Sequence, residues 1–171
     1  MERPMSRFFG RLHRNTVLTV LPVLFLLAVI AVAAGAPAST RGTDAEAWRM
    51  IDRAAEFVRS NGTDAAVEAF SRRGGAFLDR DLYPMLLDKD GTMVAHGWMP
   101  GMNGYNIAGM QDVEGRLFIR EALDEVARTG SADVTYQWPD PLSGQVTRKT
   151  MHARRLVLNG ESYMLAVGVY R

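Results

Sequence analysis

The sequence predicts an α+β domain in which an antiparallel sheet carries a helix at one end and a helix-bearing loop over one face. Apolar residues first recur at three- and four-residue steps, as in helices, and later form short strand-like segments. Tight turns join neighbouring strand segments, which implies antiparallel pairing. The predicted order of elements is α-α-β-β-α-β-β-β.

The first two predicted helices precede all the strands. Residues 45–59 share an apolar helical face, and Asn61-Gly62 ends this helix. Thr63 is expected to cap a second helix that continues to Arg72. A third helix is predicted over residues 114–128, between the second and third strands.

Five segments are predicted to be strands: residues 82–87, 92–96, 132–138, 146–158 and 161–170. Turn sequences at 88–91 and at Asn159-Gly160 make hairpins of the first two and the last two strands. Pro84 indicates an edge position or a strand start, because proline donates no ladder hydrogen bond. Residues 97–112 are rich in Gly, Met and Asn and form a long loop, which in a compact domain is often functional.

The N-terminal 38 residues are expected to be a signal peptide or an N-terminal membrane anchor, followed by one domain over residues 39–171. Four arginines precede an almost wholly apolar run over residues 17–34, which is typical of an export signal. The run also approaches the ~20 residues that span a bilayer. Both interpretations place the domain in the periplasm or outside the cell, because the arginines stay in the cytoplasm.

Composition limits the possible functions. The 171 residues carry 20 Lys+Arg and 19 Asp+Glu, so no basic excess is left for nucleic-acid binding. The absence of cysteine excludes disulfides, thiolate metal sites and cysteine nucleophiles. The sequence has no phosphate-binding glycine loop, no serine-hydrolase elbow and no H-E-x-x-H motif. We therefore expect no enzyme activity, no catalytic residues, no metal site and no cofactor.

Polar and aromatic residues in the middle of the chain suggest a pocket for a small carboxylate. Such a pocket needs a cation or hydrogen-bond donors, apolar walls and a loop that admits the ligand. The candidate binding residues are Tyr83, His96, Trp98, Tyr136, Trp138 and Lys149, with Phe118 as a further wall. The candidate lid residues are Gly101, Asn103, Gly104 and Tyr105.

Each of these residues also has an ordinary structural interpretation. Tyr83, Tyr136 and Trp138 are common strand residues, and a lysine next to Arg148 on a strand is usually solvated. His96 at a strand end fits a structural hydrogen bond as well as a ligand contact. Asp112 is expected to be a helix N-cap rather than a ligand contact.

The exported part closely resembles a single Cache domain of type 2 over residues 45–171. The matching motifs, in chain order, are D-L-Y at 81–83, D-K-D-G at 88–91, A-H at 95–96, G-Y-N at 104–106, D-V-E-G at 112–115, Y-Q-W-P-D-P at 136–141, Lys149 and G-V-Y at 168–170.

The resemblance implies a PAS-like antiparallel sheet with a long N-terminal helix and a pocket between the sheet and residues 97–130. It implies extracytoplasmic sensing of short organic acids such as acetate, pyruvate or lactate. Carried over by motif position, the pocket residues are Tyr83, His96, Tyr136, Trp138 and Lys149.

Family members usually continue into a second membrane helix and an output domain, as in chemotaxis receptors and kinases. Because this sequence ends at Arg171, we expect a free-standing binding protein that contacts the membrane only through its N-terminal segment. Its partner would be a membrane receptor or kinase in a separate chain.

Three alternatives remain from the sequence. The domain could be an interaction module with an empty or vestigial pocket, because fold does not imply function. His96, Met99, Met102 and Met110 could bind Cu(I), since thioether and imidazole ligands suit that ion. A small hydrolase or isomerase could use His96 with Asp112 or Asp133.

Overall fold

A computed structural model describes residues 40–171, so the predicted signal peptide or anchor over residues 1–38 lies outside the described residues. Two α-helices, five strands and a short 3-10 helix make up the domain. In chain order they are α1 Asp44–Ser71, β1 Pro84–Asp88, β2 Met93–His96, the 3-10 helix Pro100–Met102, α2 Phe118–Thr129, β3 Ser131–Pro139, β4 Val146–Leu158 and β5 Glu161–Tyr170.

The five strands form a single antiparallel sheet in the order β2-β1-β5-β4-β3. This arrangement, with α1 ahead of it, is the predicted α+β, PAS-like fold. β5 is the central strand and is buried continuously from Met164 to Tyr170, because both of its faces are covered. On one face of the sheet, Leu165 and Val167 pack against α1. On the other face, called the pocket face below, Met164 and Ala166 belong to a second core that includes α2.

Helix α1 joins the two predicted N-terminal helices into one element. Its start is fixed by a capping box between Thr43 and Glu46, which satisfies backbone N–H groups at the helix N-terminus. The predicted break is present as a kink at Gly62, whose φ of 83° is left-handed and suits glycine. No helix within residues 40–171 is sufficiently long and apolar to cross a bilayer.

Helix α2 begins at Phe118, four residues later than predicted. The Asp112 carboxylate accepts hydrogen bonds from the backbone N–H groups of Glu114 and Arg116, and this folds residues 112–116 into a turn. It also accepts from the N–H of Gln137 at 3.0 Å, which ties the turn to the edge of β3. The prediction that Asp112 is a helix N-cap is therefore wrong, because its acceptors serve a turn and a strand edge.

The hairpin of β1 and β2 contains a bulge that the sequence pattern did not predict. Leu86 pairs with Ala95 but Leu87 pairs with Met93, so Val94 is the extra residue. The bulge puts both Met93 and His96 on the pocket face, which strict alternation forbids. Pro84 begins β1, as predicted, but β1 is an inner strand, so the edge interpretation is wrong.

The residues ahead of α1 are held against two loops by buried carboxylates. Asp81 accepts from the backbone N–H of Gly42 at 2.6 Å, and its other oxygen lies 3.6 Å from the Arg41 guanidinium. Arg41 also donates to Asp140, in the turn that follows β3. This contact fixes the turn next to Pro139, whose carbonyl is used in the site described below.

We expect Asp140→Ala to lower the free energy of unfolding by about 2–3 kcal/mol, since it removes a buried carboxylate that accepts three hydrogen bonds. The Asp140 carboxylate accepts from Arg41, the Leu142 N–H and the Ser143 hydroxyl, and the Arg41 bond lowers its pKa to about 2. Urea unfolding measures the change. Asp90→Ala, in the exposed β1–β2 turn, is the control and should stay within about 0.5 kcal/mol. Equal losses in both variants would contradict the prediction.

Candidate functional site

A small cavity lies on the pocket face of the sheet, beneath α2 and the loop after β2. Its polar lining consists of Tyr83, His96, Tyr136 and Lys149. Its remaining lining residues are apolar or aromatic: Met85, Met93, Met102, Ile107, Met110, Phe118, Ile119 and Trp138. The structure thus brings together five of the six predicted binding residues.

Lys149 supplies the positive charge of the cavity. Its side chain comes from β4 and is 1% exposed. The Nζ atom donates to the hydroxyl of Tyr83 at 2.7 Å and to that of Tyr170 at 3.2 Å. It also lies 4.4 Å from the centre of each of these two rings, within range of a cation–π interaction.

Among residues 40–171, no carboxylate pairs with the Lys149 ammonium. A buried charge that is not neutralised by a counter-ion carries a desolvation cost of several kcal/mol. Hydroxyl oxygens and aromatic faces offset part of that cost but provide no negative charge. The site is therefore electrostatically suited to an anion.

His96 is held in one tautomer by the backbone. Its Nδ1 accepts hydrogen bonds from the N–H groups of Trp98 at 3.1 Å and Met99 at 3.0 Å. The proton of the neutral ring therefore sits on Nε2. Burial, together with the nearby charge of Lys149, lowers the pKa of His96 to about 4, so the ring is neutral at pH 7. Nε2–H has no hydrogen-bond partner among the described residues and is a free donor.

Tyr136 provides a second unused polar group. Its ring stacks on Phe118 with a centroid distance of 4.0 Å and an interplanar angle of 6°. Its hydroxyl makes no hydrogen bond within residues 40–171, and burial raises the pKa of this phenol. Trp138 packs at 5.3 Å from Phe118 and closes the aromatic wall.

The cavity is small. It offers about 20 Å³ to the centre of a water molecule, and one water needs about 10–15 Å³ on this measure. Four methionines line it, Met85, Met93, Met102 and Met110. Methionine side chains are unbranched and adapt to irregular spaces. Adaptable side chains therefore form much of the apolar wall.

Trp98 and the predicted lid residues lie around the cavity rather than in its lining. The Trp98 ring centroid lies 6.0 Å from that of Tyr83, and the Arg73 guanidinium makes a cation–π contact with the Trp98 ring at 5.4 Å. The Asn103 side chain accepts from the N–H of His96 at 3.0 Å. Gly104 and Tyr105 hydrogen-bond through their backbones to Met93 at the outer edge of β2. The Tyr105 side chain is 67% exposed.

This geometry divides the loop into two parts. Residues 103–107 are tied by hydrogen bonds to β2 and to the turn before it, where the Ile107 N–H donates to the Gly91 carbonyl. The 3-10 helix Pro100–Met102 makes fewer such bonds, and the space beside Gly101 is open. Met102 therefore belongs to the part of the loop that has the fewest hydrogen bonds to β2.

Sequence reasoning missed Tyr170 and the aliphatic lining. The alternation of β1 puts Met85 on the same face as Leu87, and this was a usable signal. Ile119 follows from the apolar face of α2. Tyr170 pairs with Lys149 across β4 and β5, and because that register is not visible in the sequence, alternation alone could not assign Tyr170 to the site.

The alternative arrangements of polar residues are not assembled. Asp112 serves the turn before α2, and Asp133 contacts Nδ1 of His152 at 2.5 Å, so neither carboxylate contacts His96. Residues 40–171 contain no group of three or more His, Cys, Asp or Glu side chains arranged to hold a metal. Met102 and Met110 share the cavity with His96, but so does the Lys149 ammonium, which repels a cation.

Comparisons with known proteins agree with this geometry. The sequence model of the family described as single Cache domain 2 matches residues 40–170. A search of curated proteins returned no match. A solved methyl-accepting chemotaxis protein from Vibrio parahaemolyticus is 17% identical with a TM-score of 0.60, covering 86% of this chain and 95% of that one.

Two further solved structures have a similar fold. A periplasmic sensor domain of a chemotaxis protein is 21% identical with a TM-score of 0.56, covering 89% of this chain and 98% of that one. A Cache chemosensory domain, reported for its carboxylic acid recognition, is 18% identical with a TM-score of 0.56, covering 92% and 99%. At these identities the likeness shows a common fold.

The lowered pKa of His96 predicts a pH dependence of stability. Between pH 4 and 6.5 the unfolded chain binds a proton at His96 that the folded chain does not, so stability rises with pH in this window. We expect unfolding by urea to show a loss of about 2 kcal/mol from pH 7 to pH 5, relative to His96→Asn. The asparagine amide oxygen can still accept from the loop N–H groups, and His152 is common to both proteins. Parallel pH profiles would contradict the prediction.

Proposed function

The chain belongs to the single Cache domain 2 family, and we propose that this protein binds a small organic acid outside the cytoplasm. The proposed ligands are short acids of the acetate, pyruvate and lactate class. The observation that carries the proposal is the buried ammonium of Lys149, which contacts two hydroxyls and two aromatic rings but no carboxylate of residues 40–171.

A ligand carboxylate would supply the missing negative charge. Charge-assisted hydrogen bonds to a desolvated ammonium are shorter and stronger than neutral ones. The pair would also remove the cost of burying Lys149 alone. The free energy gained on binding therefore includes relief of a cost already present in the unliganded protein.

Two neutral donors support a role for the rest of the ligand head group. The Nε2–H of His96 and the hydroxyl of Tyr136 both border the cavity and have no partner among the described residues. They suit the second carboxylate oxygen or a 2-oxo or 2-hydroxy oxygen. Since His96 has a pKa of about 4, its role as a donor does not change between pH 6 and 8.

The lining argues against other charged metabolites. It contains no acidic side chain, so the ammonium of an amino acid or amine would be buried without a partner. It contains one cation, so the second carboxylate of a dicarboxylic acid would be equally unpaired. The expected ligand is a monocarboxylate with a small uncharged remainder.

Binding requires the cavity to widen, because its present volume suits about one water. Met102 and Met110 are half-buried and belong to the loop side of the cavity, so they are the walls that we expect to move. Gly101, Asn103, Gly104 and Tyr105 retain the proposed lid role, with Asn103–Tyr105 as its fixed base and Gly101 in its mobile part.

Size bounds the affinity. An acid of six heavy atoms has a ceiling near −9 kcal/mol at about 1.5 kcal/mol per atom, which is a Kd of about 0.3 µM. The cost of widening the cavity raises Kd further. We expect binding in the micromolar to millimolar range.

The proposal extends to location and partner. Residues 1–38 are proposed to be the signal peptide or anchor that delivers the domain to the periplasm or the cell exterior, on the basis of their charge and apolar run. A membrane receptor or kinase is the proposed recipient of the signal. One similar solved domain is reported for carboxylic acid recognition, which supports the same ligand class here.

A second candidate is an interaction module whose pocket no longer binds anything. The small volume of the cavity is the observation that favours it. It predicts that no acid stabilises the fold, whereas the sensor proposal predicts that at least one does. Ligand-dependent thermal unfolding separates the two candidates.

We expect acetate, propionate, pyruvate or lactate to raise the unfolding temperature. At a hundredfold excess over Kd, the bound acid should add about 2.7 kcal/mol to the free energy of unfolding. Alanine and succinate should have no effect.

Lys149→Met should weaken the binding measured by calorimetry by at least about 2 kcal/mol, because it removes the counter-ion. Arg148→Met is the matched control, since it removes the same charge from a neighbouring exposed residue.

Two results would overturn the sensor proposal. One is the absence of stabilisation by any acid after denaturation and refolding have removed a carried-over ligand. The other is equal acid binding by Lys149→Met and Arg148→Met, which would remove the ammonium from the site.

A further inference from the structure

Lys149 and its nearest hydrogen-bond partner do not lie on neighbouring strands. Lys149 is on β4, Tyr83 directly precedes β1, and β5 lies between these two strands. The Nζ atom is nevertheless 2.7 Å from the Tyr83 hydroxyl. The lysine side chain must therefore cross over the face of β5.

Gly168 is the residue of β5 at this crossing. A Cβ atom placed on Gly168 would lie 2.0 Å from Cε of Lys149 and 3.0 Å from its Nζ. The first distance is far below any real contact between carbon atoms. The φ angle of Gly168 is outside the left-handed region, so its backbone does not require glycine. The glycine is needed for space alone.

The rest of the local geometry shows what that space serves. In the sheet, Met151 pairs with Gly168 and Lys149 pairs with Tyr170, so these four residues share the pocket face. Tyr170 accepts from Nζ at 3.2 Å and donates its own proton to the Pro139 carbonyl at 2.8 Å. Two residues of one strand thus provide a path for the side chain and an acceptor at its end.

We propose that Gly168 is a positioning residue for the ligand site. By leaving β5 without a side chain at the crossing, it lets the Lys149 ammonium reach Tyr83 and face the cavity. Any larger uncharged residue turns the ammonium out of the cavity and leaves the net charge of the protein unchanged. The consequence for ligands rests on the proposed function, but the position of the ammonium does not.

The first test measures the ammonium itself in the full-length chain held in detergent micelles. The ¹⁵N-labelled side-chain ammonium signal of Lys149 is identified by its loss in Lys149→Met. We expect Gly168→Ala to shift this signal or broaden it through fast exchange with water. Val169→Ile is the matched control, because it adds one carbon to the opposite face of the same strand and should leave the signal unchanged.

The second test compares pyruvate with pyruvamide, which has the same shape without the charge. We expect Gly168→Ala to weaken pyruvate binding about thirtyfold or more, the lower end of what loss of a buried charge pair costs. Its effect on pyruvamide should be smaller than about twofold. A general packing defect would weaken both compounds equally and would overturn the positioning role.

A double variant covers the case in which Gly168→Ala does not fold. The clash involves only the Lys149 side chain among the contacts nearest to the new Cβ. Gly168→Ala combined with Lys149→Ala should therefore have nearly the same unfolding temperature as Lys149→Ala alone, because alanine lacks the Cδ, Cε and Nζ atoms that the new Cβ would meet. A double variant that loses as much stability relative to Lys149→Ala as Gly168→Ala loses relative to the unmodified protein would contradict the inference.

The two tests also separate this inference from the proposed function. If neither compound binds the unmodified protein but the ammonium signal moves in Gly168→Ala, the positioning role stands and the acid-sensor proposal fails. If pyruvate binds and the signal stays unmoved in Gly168→Ala, the positioning role fails and the sensor proposal stands.

Discussion

The buried ammonium of Lys149 is the constraint on which the pocket side of this protein depends. Placing a cation 1% exposed in an apolar core requires acceptors, aromatic faces and fixed neighbours. Tyr83 and Tyr170 provide the acceptors and the faces. The same charge helps to keep His96 neutral, because a second cation nearby is unfavourable. The charge of Lys149 therefore adds to burial in keeping the neighbouring imidazole neutral.

The order of the strands explains why such a residue can exist here. β5 is the last strand in the chain but the central strand in the sheet, and both of its faces are covered. Its Leu165 and Val167 complete the core beneath α1, while Gly168 and Tyr170 contact the Lys149 side chain on the opposite face. Because the central strand is covered on both faces, the lysine side chain that crosses it is buried along its length.

The sequence was a good guide to elements and turns and a poorer guide to faces. Turn chemistry predicted both hairpins, since Asp88–Gly91 and Asn159-Gly160 have strong local preferences. The bulge at Val94 and the late start of α2 depend on tertiary contacts that no local pattern contains. Alternation separates Lys149 from Arg148, but it does not say which of the two faces inward. The family resemblance chose the correct one of the pair, Lys149, and still missed Tyr170, whose role depends on cross-strand register.

The small volume of the cavity has a kinetic consequence for the proposed ligand. Space for about one water means that a ligand enters only when the methionine wall and the loop have moved aside. When the open form is a minority, both the apparent affinity and the association rate fall with its population. Occupancy then follows the opening of the wall rather than each collision with a ligand. The rate at which the wall opens would therefore limit how quickly the proposed ligand enters and leaves the cavity.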